Sequence, residues 1–178
     1  MPDVVLPHKF ARAAAPADFL EHAFERDWLI DRPRHRVWRW INDPRTFSEA
    51  QIWPYRVEMI DDGTGRDPTR MTPGQLNTHH GPLVSFTGVV GEMLSPADAG
   101  NDRPAYRDLQ YLYGSYAFSL RLVRPTRLQF WLDRETPGIT RIRMRLDSLV
   151  HPKAFDWWTR GQAIFWTHFP KKAIREIA

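Results

Sequence analysis

The chain has 178 residues, no cysteine and a formal net charge of +4, and its length suits a single domain that buries roughly 70 % of its unfolded surface. The absence of cysteine excludes disulfides, thiol catalysis and cysteine-ligated zinc. No run approaches ~18 continuous apolar residues and the N-terminus lacks the apolar stretch of a secretion signal, so we expect a cytoplasmic protein without integral membrane association.

The first part of the chain is weakly patterned. Residues 1–18 are rich in alanine and proline, which predicts a loosely ordered arm, and residues 19–178 then form one domain. We predict a first strand over residues 24–31, because this short segment carries a tryptophan and an isoleucine and ends at Arg32-Pro33.

The next segment, RPRHRVWRWINDPRTF from Arg32, mixes tryptophans with basic residues, as a nucleic-acid motif would. At ~100° per residue its apolar side chains share an arc of about 160°, and the basic side chains lie opposite. The apolar set is Val37, Trp38, Trp40 and Ile41. Stacking on bases needs exposed rings, so the pattern indicates an amphipathic helix and we expect no nucleic-acid role. A second short helix is predicted over residues 43–52.

Strand patterns dominate the middle of the chain, with breaker-rich loops between them. Gly88 and Gly91 lie inside one long candidate and suggest bulges or sharp curvature. The candidates are residues 54–61, 75–80, 83–94, 106–113, 116–123, 127–134 and 139–150.

In the last of these strands apolar and basic side chains alternate, which is typical of an antiparallel sheet covered on one face. The basic set, named here the arginine row, consists of Arg141, Arg143 and Arg145. Such a row could contact an acidic partner, but exposed charges more often serve solubility and block edge pairing.

The carboxyl end reads as one long helix over residues 151–177, with a kink expected at Pro170 because proline removes a backbone hydrogen bond. Its aromatic stripe spans an arc of about 120° and consists of Phe155, Trp158, Phe165, Trp166, Phe169 and Ala173. Gln162 lies in the middle of that arc. A buried amide without partners costs roughly 1–3 kcal/mol, so Gln162 should meet a strand side chain, a water or a ligand.

Most of the strands follow one another in the sequence, and the helices are separate from them. This order is typical of an α+β fold. The natural packing curls a sheet of about seven antiparallel strands around the stripe of the final helix. Two short helices then follow the first strand.

Three short motifs, Val37-Trp38, Asp43-Pro44 and Trp53-Pro54, occur in this order. Together with the closing aromatic helix, over residues 24–177, they resemble the START-like (SRPBCC) superfamily of polyketide cyclases and lipid-transfer proteins, whose fold is the helix-grip. Seven strand candidates follow the second helix where that family has six. Either a hairpin is inserted, or two candidates are one bent strand near Gly114 or Pro125.

The resemblance implies a cavity between the curled sheet and the last helix, and hence binding of a hydrophobic small molecule of lipid-, polyketide- or aromatic-like character. The side chains expected to line this ligand cavity are His79, Tyr111, Tyr113, Arg121, Trp158, Gln162, Phe165 and Phe169. One alternative is a cyclase or dehydratase, with His79 as general base and Tyr111 or Arg121 polarising a carbonyl. Another is a protein-interaction module that uses the outer sheet face.

No pattern indicates a cofactor or a metal. The Gly-Thr-Gly at residues 63–65 is not a phosphate cradle, and no serine lies in a G-x-S-x-G elbow. His79 and His80 lie next to each other on a predicted strand, so their side chains point to opposite faces and cannot share one metal ion. We expect a metal-free monomer or homodimer.

Overall fold

The structure is a computed structural model, and it describes residues 14, 16–48, 56–61, 63, 67, 71–81, 84–116, 121–167 and 169–177. Within those ranges the regular structure consists of seven strands, five α-helices and one 3-10 turn. In chain order they are β1 (Leu20–Ile30), α1 (Arg34–Ile41), α2 (Pro44–Ser48), β2 (Arg56–Ile60), β3 (Leu76–Gly81), β4 (Val84–Leu94), α3 (Pro96–Ala99), β5 (Ala105–Tyr116), β6 (Val123–Arg134), β7 (Thr140–Val150), a 3-10 turn (Pro152–Ala154), α4 (Phe155–Thr167) and α5 (Phe169–Glu176).

The seven strands form one curved antiparallel sheet in the order β1-β7-β6-β5-β4-β3-β2. Every neighbour in the sheet is also a neighbour in the chain except at one edge, where β1 pairs with β7 from Leu20 opposite Val150 to Ile30 opposite Thr140. The helices α4 and α5 pack against β1. The predicted α+β class and the predicted sheet of about seven strands are confirmed.

The two ends of the strand candidate at residues 116–123 belong to two different strands. β5 runs through Gly114 and is described as far as Tyr116, and β6 begins at Val123 and runs through Pro125. Residues 117–120 lie outside the described residues, as do Trp53-Pro54 and most of the arm at 1–18. Six described strands follow α2.

The two glycines of β4 lie at irregularities in its pairing with β5, although the extra residue at the first of them belongs to β5. The register of β4 with β5 shifts between Thr87 and Gly88 and again between Val90 and Met93. At the second shift the fully buried Asp108 accepts the backbone N–H of Glu92 at 2.6 Å. A Cβ at Gly91 would overlap the carboxylate of Asp108, so a larger residue there would have to displace that buried side chain.

Helix α1 has the buried and exposed faces that its periodicity predicts. Val37, Trp40 and Ile41 are buried, whereas His35, Arg36 and Arg39 are exposed. Arg34 differs, because its guanidinium is buried and donates to the backbone carbonyls of Arg103, Pro96 and Gly100. The first basic residue of the helix therefore anchors the loop that contains α3.

The C-terminal helical segment is described as α4 (Phe155–Thr167) and α5 (Phe169–Glu176), and residue 168 lies outside the described residues. The kink expected at Pro170 stays a prediction. The end of α5 is held to the turn after β1, because Arg32 Nε donates to the carbonyl of Ile177 at 2.6 Å.

Candidate functional site

A cleft opens where the ladder between β5 and β6 ends. The two strands pair from Ala105 opposite Leu132 to Gln110 opposite Arg127. Beyond Gln110 the partner of β5 is β4, and β6 has a register shift between Pro125 and Arg127. The resulting β5–β6 cleft has a volume of about 560 Å³ and is lined by residues 21–23, 111–114, 124–126, 145 and 147–149.

The β5–β6 cleft joins both faces of the sheet. Alternate burial along β7 places Ser148 on the face toward the helices and Asp147 on the outer face, and both line the cleft. Two further inward residues, Tyr111 and His22, also line it and are 3 % and 6 % exposed.

Tyr111 connects the cleft to a cluster of rings on the inner face. The ring of His79 stacks on Phe86 with centroids 4.3 Å apart. The ring of Tyr111 meets both edge-on, at 5.3 Å from His79 and 4.6 Å from Phe86. His79 Nε2–H donates to Asn77 Oδ1 at 3.1 Å. The predicted cavity residues His79 and Tyr111 are thus brought together.

The imidazole of His79 is electrically neutral at physiological pH. Burial among these rings, together with the smaller effects of His80 and Arg107, lowers the pKa of His79 from 6.5 to about 3. A group with this pKa is a weak base near pH 7, where efficient general bases have a pKa close to the working pH. His79 is therefore suited to packing and hydrogen bonding rather than to proton abstraction.

The low pKa of His79 predicts an acid-sensitive fold. Between about pH 6.5 and 3 the unfolded chain binds a proton at this position and the folded chain does not, so stability falls as the pH falls through that window. Between about pH 7 and 5 this contributes up to about 2 kcal/mol. We expect His79→Gln to flatten the pH dependence of urea unfolding over that interval. The exposed His80, paired with Glu58 at 3.2 Å, is the control, and an equal flattening in His80→Gln would contradict the prediction.

A buried arginine lies beside this cluster, and sequence reasoning missed it. Arg107 is fully buried, donates to the carbonyl of Ile41 at 2.6 Å and lies over the ring of Phe130 at 5.0 Å. Burial lowers the pKa of Arg107 to about 10, against the opposing effect of Tyr111 and Asp108, so the side chain stays charged at neutral pH. The signal in the sequence was its place in the inward alternation of Ala105, Leu109 and Tyr111.

His22 was missed as well. Its ring lies edge-on to Phe155 at 5.0 Å, and its Nε2 is 2.9 Å from Thr159 Oγ1. Burial lowers the pKa of His22, and the charge of Asp147 partly opposes that effect. Because the predicted first strand began at Phe24, His22 lay outside the alternation that would have pointed it inward.

Two of the predicted cavity residues on this side do not face the interior. Tyr113 lies opposite Thr87 while Tyr111 lies opposite Gly88, so the residue between them is a bulge that turns Tyr113 outward, where it is 55 % exposed. Tyr113 still lines the β5–β6 cleft. Arg121 is exposed between β5 and β6 with φ at 54°, and its guanidinium lies 5.9 Å from the ring of Tyr113.

The predicted residues on the helices divide in a similar way. Trp158 and Gln162 are buried, and Gln162 Oε1 accepts from Trp166 Nε1 at 3.0 Å, so its partner is one helical turn away. Phe169 is half-buried and its ring is 5.9 Å from that of Phe130 on β6. Phe165 is 47 % exposed, because it lies at the border of the buried arc rather than within it.

The arginine row is neutralised by carboxylates on its own sheet face. Arg141 pairs with Asp27 at 2.9 Å and with Glu135 at 3.1 Å. Arg143 pairs with Asp133 at 2.9 Å, and Arg145 pairs with carboxylates on β1 and β7. Exposed pairs of this kind contribute little to stability, but they leave little uncompensated positive charge along this row.

The described part of the chain has neither a membrane-spanning helix nor a cluster of metal ligands. None of its helices has the length and apolar character needed to cross a membrane. No three histidine, aspartate or glutamate side chains within those residues lie close enough together to hold a metal ion.

A curved antiparallel sheet that packs against a long C-terminal helix, with two short helices after the first strand, is the START-like helix-grip arrangement. The chain has this fold, and comparison with solved structures agrees. No family model matches the chain, and no curated protein matches it in sequence.

The Zhui aromatase/cyclase from a Streptomyces species is similar at a TM-score of 0.61 and 14 % identity, over 89 % of this chain and 94 % of that chain. A START superfamily protein from Mycobacterium smegmatis is similar at 0.58 and 9 %, over 88 % and 97 %. Norcoclaurine synthase from Thalictrum flavum is similar at 0.55 and 11 %, over 98 % and 97 %, and it is also known in complex with dopamine and hydroxybenzaldehyde. Identities this low establish the fold alone.

Proposed function

We propose that the protein binds a hydrophobic small molecule of lipid-, polyketide- or aromatic-like character in the β5–β6 cleft. The observation that carries this proposal is the cleft itself, which has a volume of about 560 Å³ and has Tyr111, His22 and Ser148 among its lining residues. No described residue of α4 or α5 lines it, so it differs from the cavity between the sheet and the last helix that the resemblance implies. The volume of the cleft lies in the range of about 300–1,000 Å³ that is usual for small-molecule sites.

The walls of the cleft suit a molecule with an apolar body and a few polar groups. Tyr111, Leu112 and Pro125 supply apolar surface. In the ring cluster behind Tyr111, the buried Asn77 Nδ2 has no hydrogen-bond partner among the described residues. Leaving such a group unsatisfied costs roughly 1–3 kcal/mol, which a ligand oxygen next to it would recover.

The structural neighbours agree with a small-molecule role. Norcoclaurine synthase binds dopamine and hydroxybenzaldehyde, both aromatic, and the Streptomyces neighbour is an aromatase/cyclase. By analogy, we favour ligands with an aromatic ring for this protein.

Thermal unfolding with an apolar aromatic probe tests the proposal. We expect 2-methoxynaphthalene to raise the melting temperature by an amount that grows with its concentration. Ala23→Trp places a large side chain in the cleft and should abolish the shift. Leu29→Trp, on the exposed part of the same strand, is the matched control and should keep it. Equal shifts in both variants, or none in the unmodified protein, would contradict the proposal. Native mass spectrometry of freshly purified protein would identify a co-purified ligand.

A cyclase or dehydratase acting in the same cleft has weaker support. His79, the candidate base, has a pKa of about 3, and Arg121 lies beside the outward Tyr113 instead of the inner cluster. Such an enzyme would need another residue as its base. Incubation with a linear polyketide-like compound, followed by mass spectrometry of the products, distinguishes turnover from binding.

An interaction module on the outer sheet face also has weaker support, because the arginine row on that face is ion-paired. Exposed large apolar side chains occur instead on α4, at Trp157, Ile164 and Phe165. A nucleic-acid role would require phosphate contacts from unpaired basic residues, and the ion pairs of the arginine row make that face a poor candidate. We therefore retain small-molecule binding as the function.

A further inference from the structure

We propose that His22 Nδ1 and Ser148 Oγ together recognise a hydroxyl group of the ligand, so that the protein selects an alcohol or a phenol. The hydroxyl site rests on the proposed function, because it names the chemical group of the ligand that the same cleft receives. Neither residue was expected to take part in ligand binding from the sequence.

The two residues lie side by side in the sheet. His22 on β1 is directly opposite Ser148 on β7, and both side chains lie on the inner face, where they are 6 % and 3 % exposed. Opposite residues of an antiparallel pair have Cβ atoms about 4.5–5.5 Å apart. Both residues are among those that line the β5–β6 cleft.

The hydrogen bonds around His22 determine which ring nitrogen carries the proton. Thr159 Oγ1 donates its only proton to the carbonyl of Phe155 at 2.9 Å. Its oxygen is then free to accept, and it lies 2.9 Å from His22 Nε2. The arrangement that keeps both bonds places the proton on Nε2. Nδ1 of the neutral ring is therefore an acceptor with a free lone pair.

Both candidate groups lack a partner. His22 Nδ1 and Ser148 Oγ are buried and have no hydrogen bond to any described residue, nor to each other. Each unsatisfied buried group costs roughly 1–3 kcal/mol. The two groups belong to neighbouring residues that both line the cleft. One bound atom that forms a hydrogen bond with each group would remove both costs together.

A hydroxyl group fits this pair better than the other common oxygen groups. It can donate its proton to Nδ1 and accept the proton of Ser148 Oγ, so both groups are satisfied by one oxygen. An ether or a ketone accepts only, and leaves Nδ1 without a partner. A carboxylate would face the Nδ1 lone pair and the nearby carboxylate of Asp147, which also lines the cleft.

Isothermal titration calorimetry with 2-naphthol and 2-methoxynaphthalene tests the inference, because the two probes differ in the donor hydroxyl. We expect the unmodified protein to bind 2-naphthol about tenfold more tightly, which corresponds to one hydrogen bond. In His22→Phe that preference should fall toward one, because the acceptor for the naphthol proton is gone. Ser148→Ala should weaken the binding of both probes, because each loses the same donor, and should keep the preference. His35→Phe, on the exposed face of α1, is the control and should keep the preference.

A second measurement tests the proton placement even if His22→Phe fails to fold. Nitrogen-15 NMR of the imidazole of His22 in the unmodified protein should show the proton on Nε2, and 2-naphthol should shift the Nδ1 resonance. A proton on Nδ1 would overturn the inference. Equal binding of both probes, blocked by Ala23→Trp, would overturn the hydroxyl site and leave the proposed function intact. Binding of neither probe would count against both.

Discussion

Replacing Trp158 by alanine is expected to lower the free energy of unfolding by about 3–5 kcal/mol. The indole is 1 % exposed and belongs to the core between the sheet and the helices. Its removal takes away the transfer free energy of a large ring and leaves a cavity that the surrounding side chains fill only in part. Urea unfolding followed by circular dichroism would measure the loss.

The adjacent residue is the control for this substitution. Trp157 is 41 % exposed, so Trp157→Ala removes the same ring from the same helix without creating a buried cavity. We expect a loss within about 1 kcal/mol, as is usual for surface substitutions. Equal losses for Trp158→Ala and Trp157→Ala would mean that α4 is not docked through the face that contains Trp158.

Replacing Gly114 by alanine is expected to destabilise the fold by about 2–4 kcal/mol, from backbone strain together with overpacking. Gly114 has a φ of 152°, in the region that favours glycine, and it lies directly opposite Phe86. A Cβ at this position would overlap the backbone and the Cβ of Phe86. Because the obstacle is main chain rather than a flexible side-chain tip, relief requires the two strands to separate.

The control for this variant is a glycine with open space around it. A Cβ on Gly161 in α4 would meet nothing within 4 Å. Gly161→Ala should therefore stabilise the helix slightly, by roughly 0.5–1 kcal/mol. The same urea experiment checks both variants. If Gly114→Ala matched Gly161→Ala in stability, the close approach of β4 and β5 would not be as described.

Periodicity was enough to predict the fold because its signals are local and repeated. Alternation along 139–150 predicted β7 with one buried face, and the arc around Trp40 predicted the buried side of α1. The number of strands near Gly114 and Pro125 was left open, because glycine and proline occur both in bent strands and in the turns of hairpins.

The candidate site was predicted only in part, because side-chain direction depends on register. A single extra residue between Tyr111 and Tyr113 reverses the alternation of β5, and a bulge reveals itself only when two strands are paired. The predicted first strand began two residues after His22, so the alternation of buried and exposed positions was not applied to His22 and its inward direction was missed. Arg107 was overlooked because charge was taken as a sign of exposure, and burial of a charged residue depends on distant partners such as the carbonyl of Ile41.

The pairing of β1 with β7 joins residues that are far apart in the sequence, and this affects the folding of the domain. The ion pairs that cross between β1 and β7, Glu25 with Arg145 and Asp27 with Arg141, join residues 120 and 114 positions apart. Contacts of such long sequence separation slow folding, because a large loop must close before they form. β1 is therefore synthesised long before β7, and it cannot pair with β7 until that strand has been made.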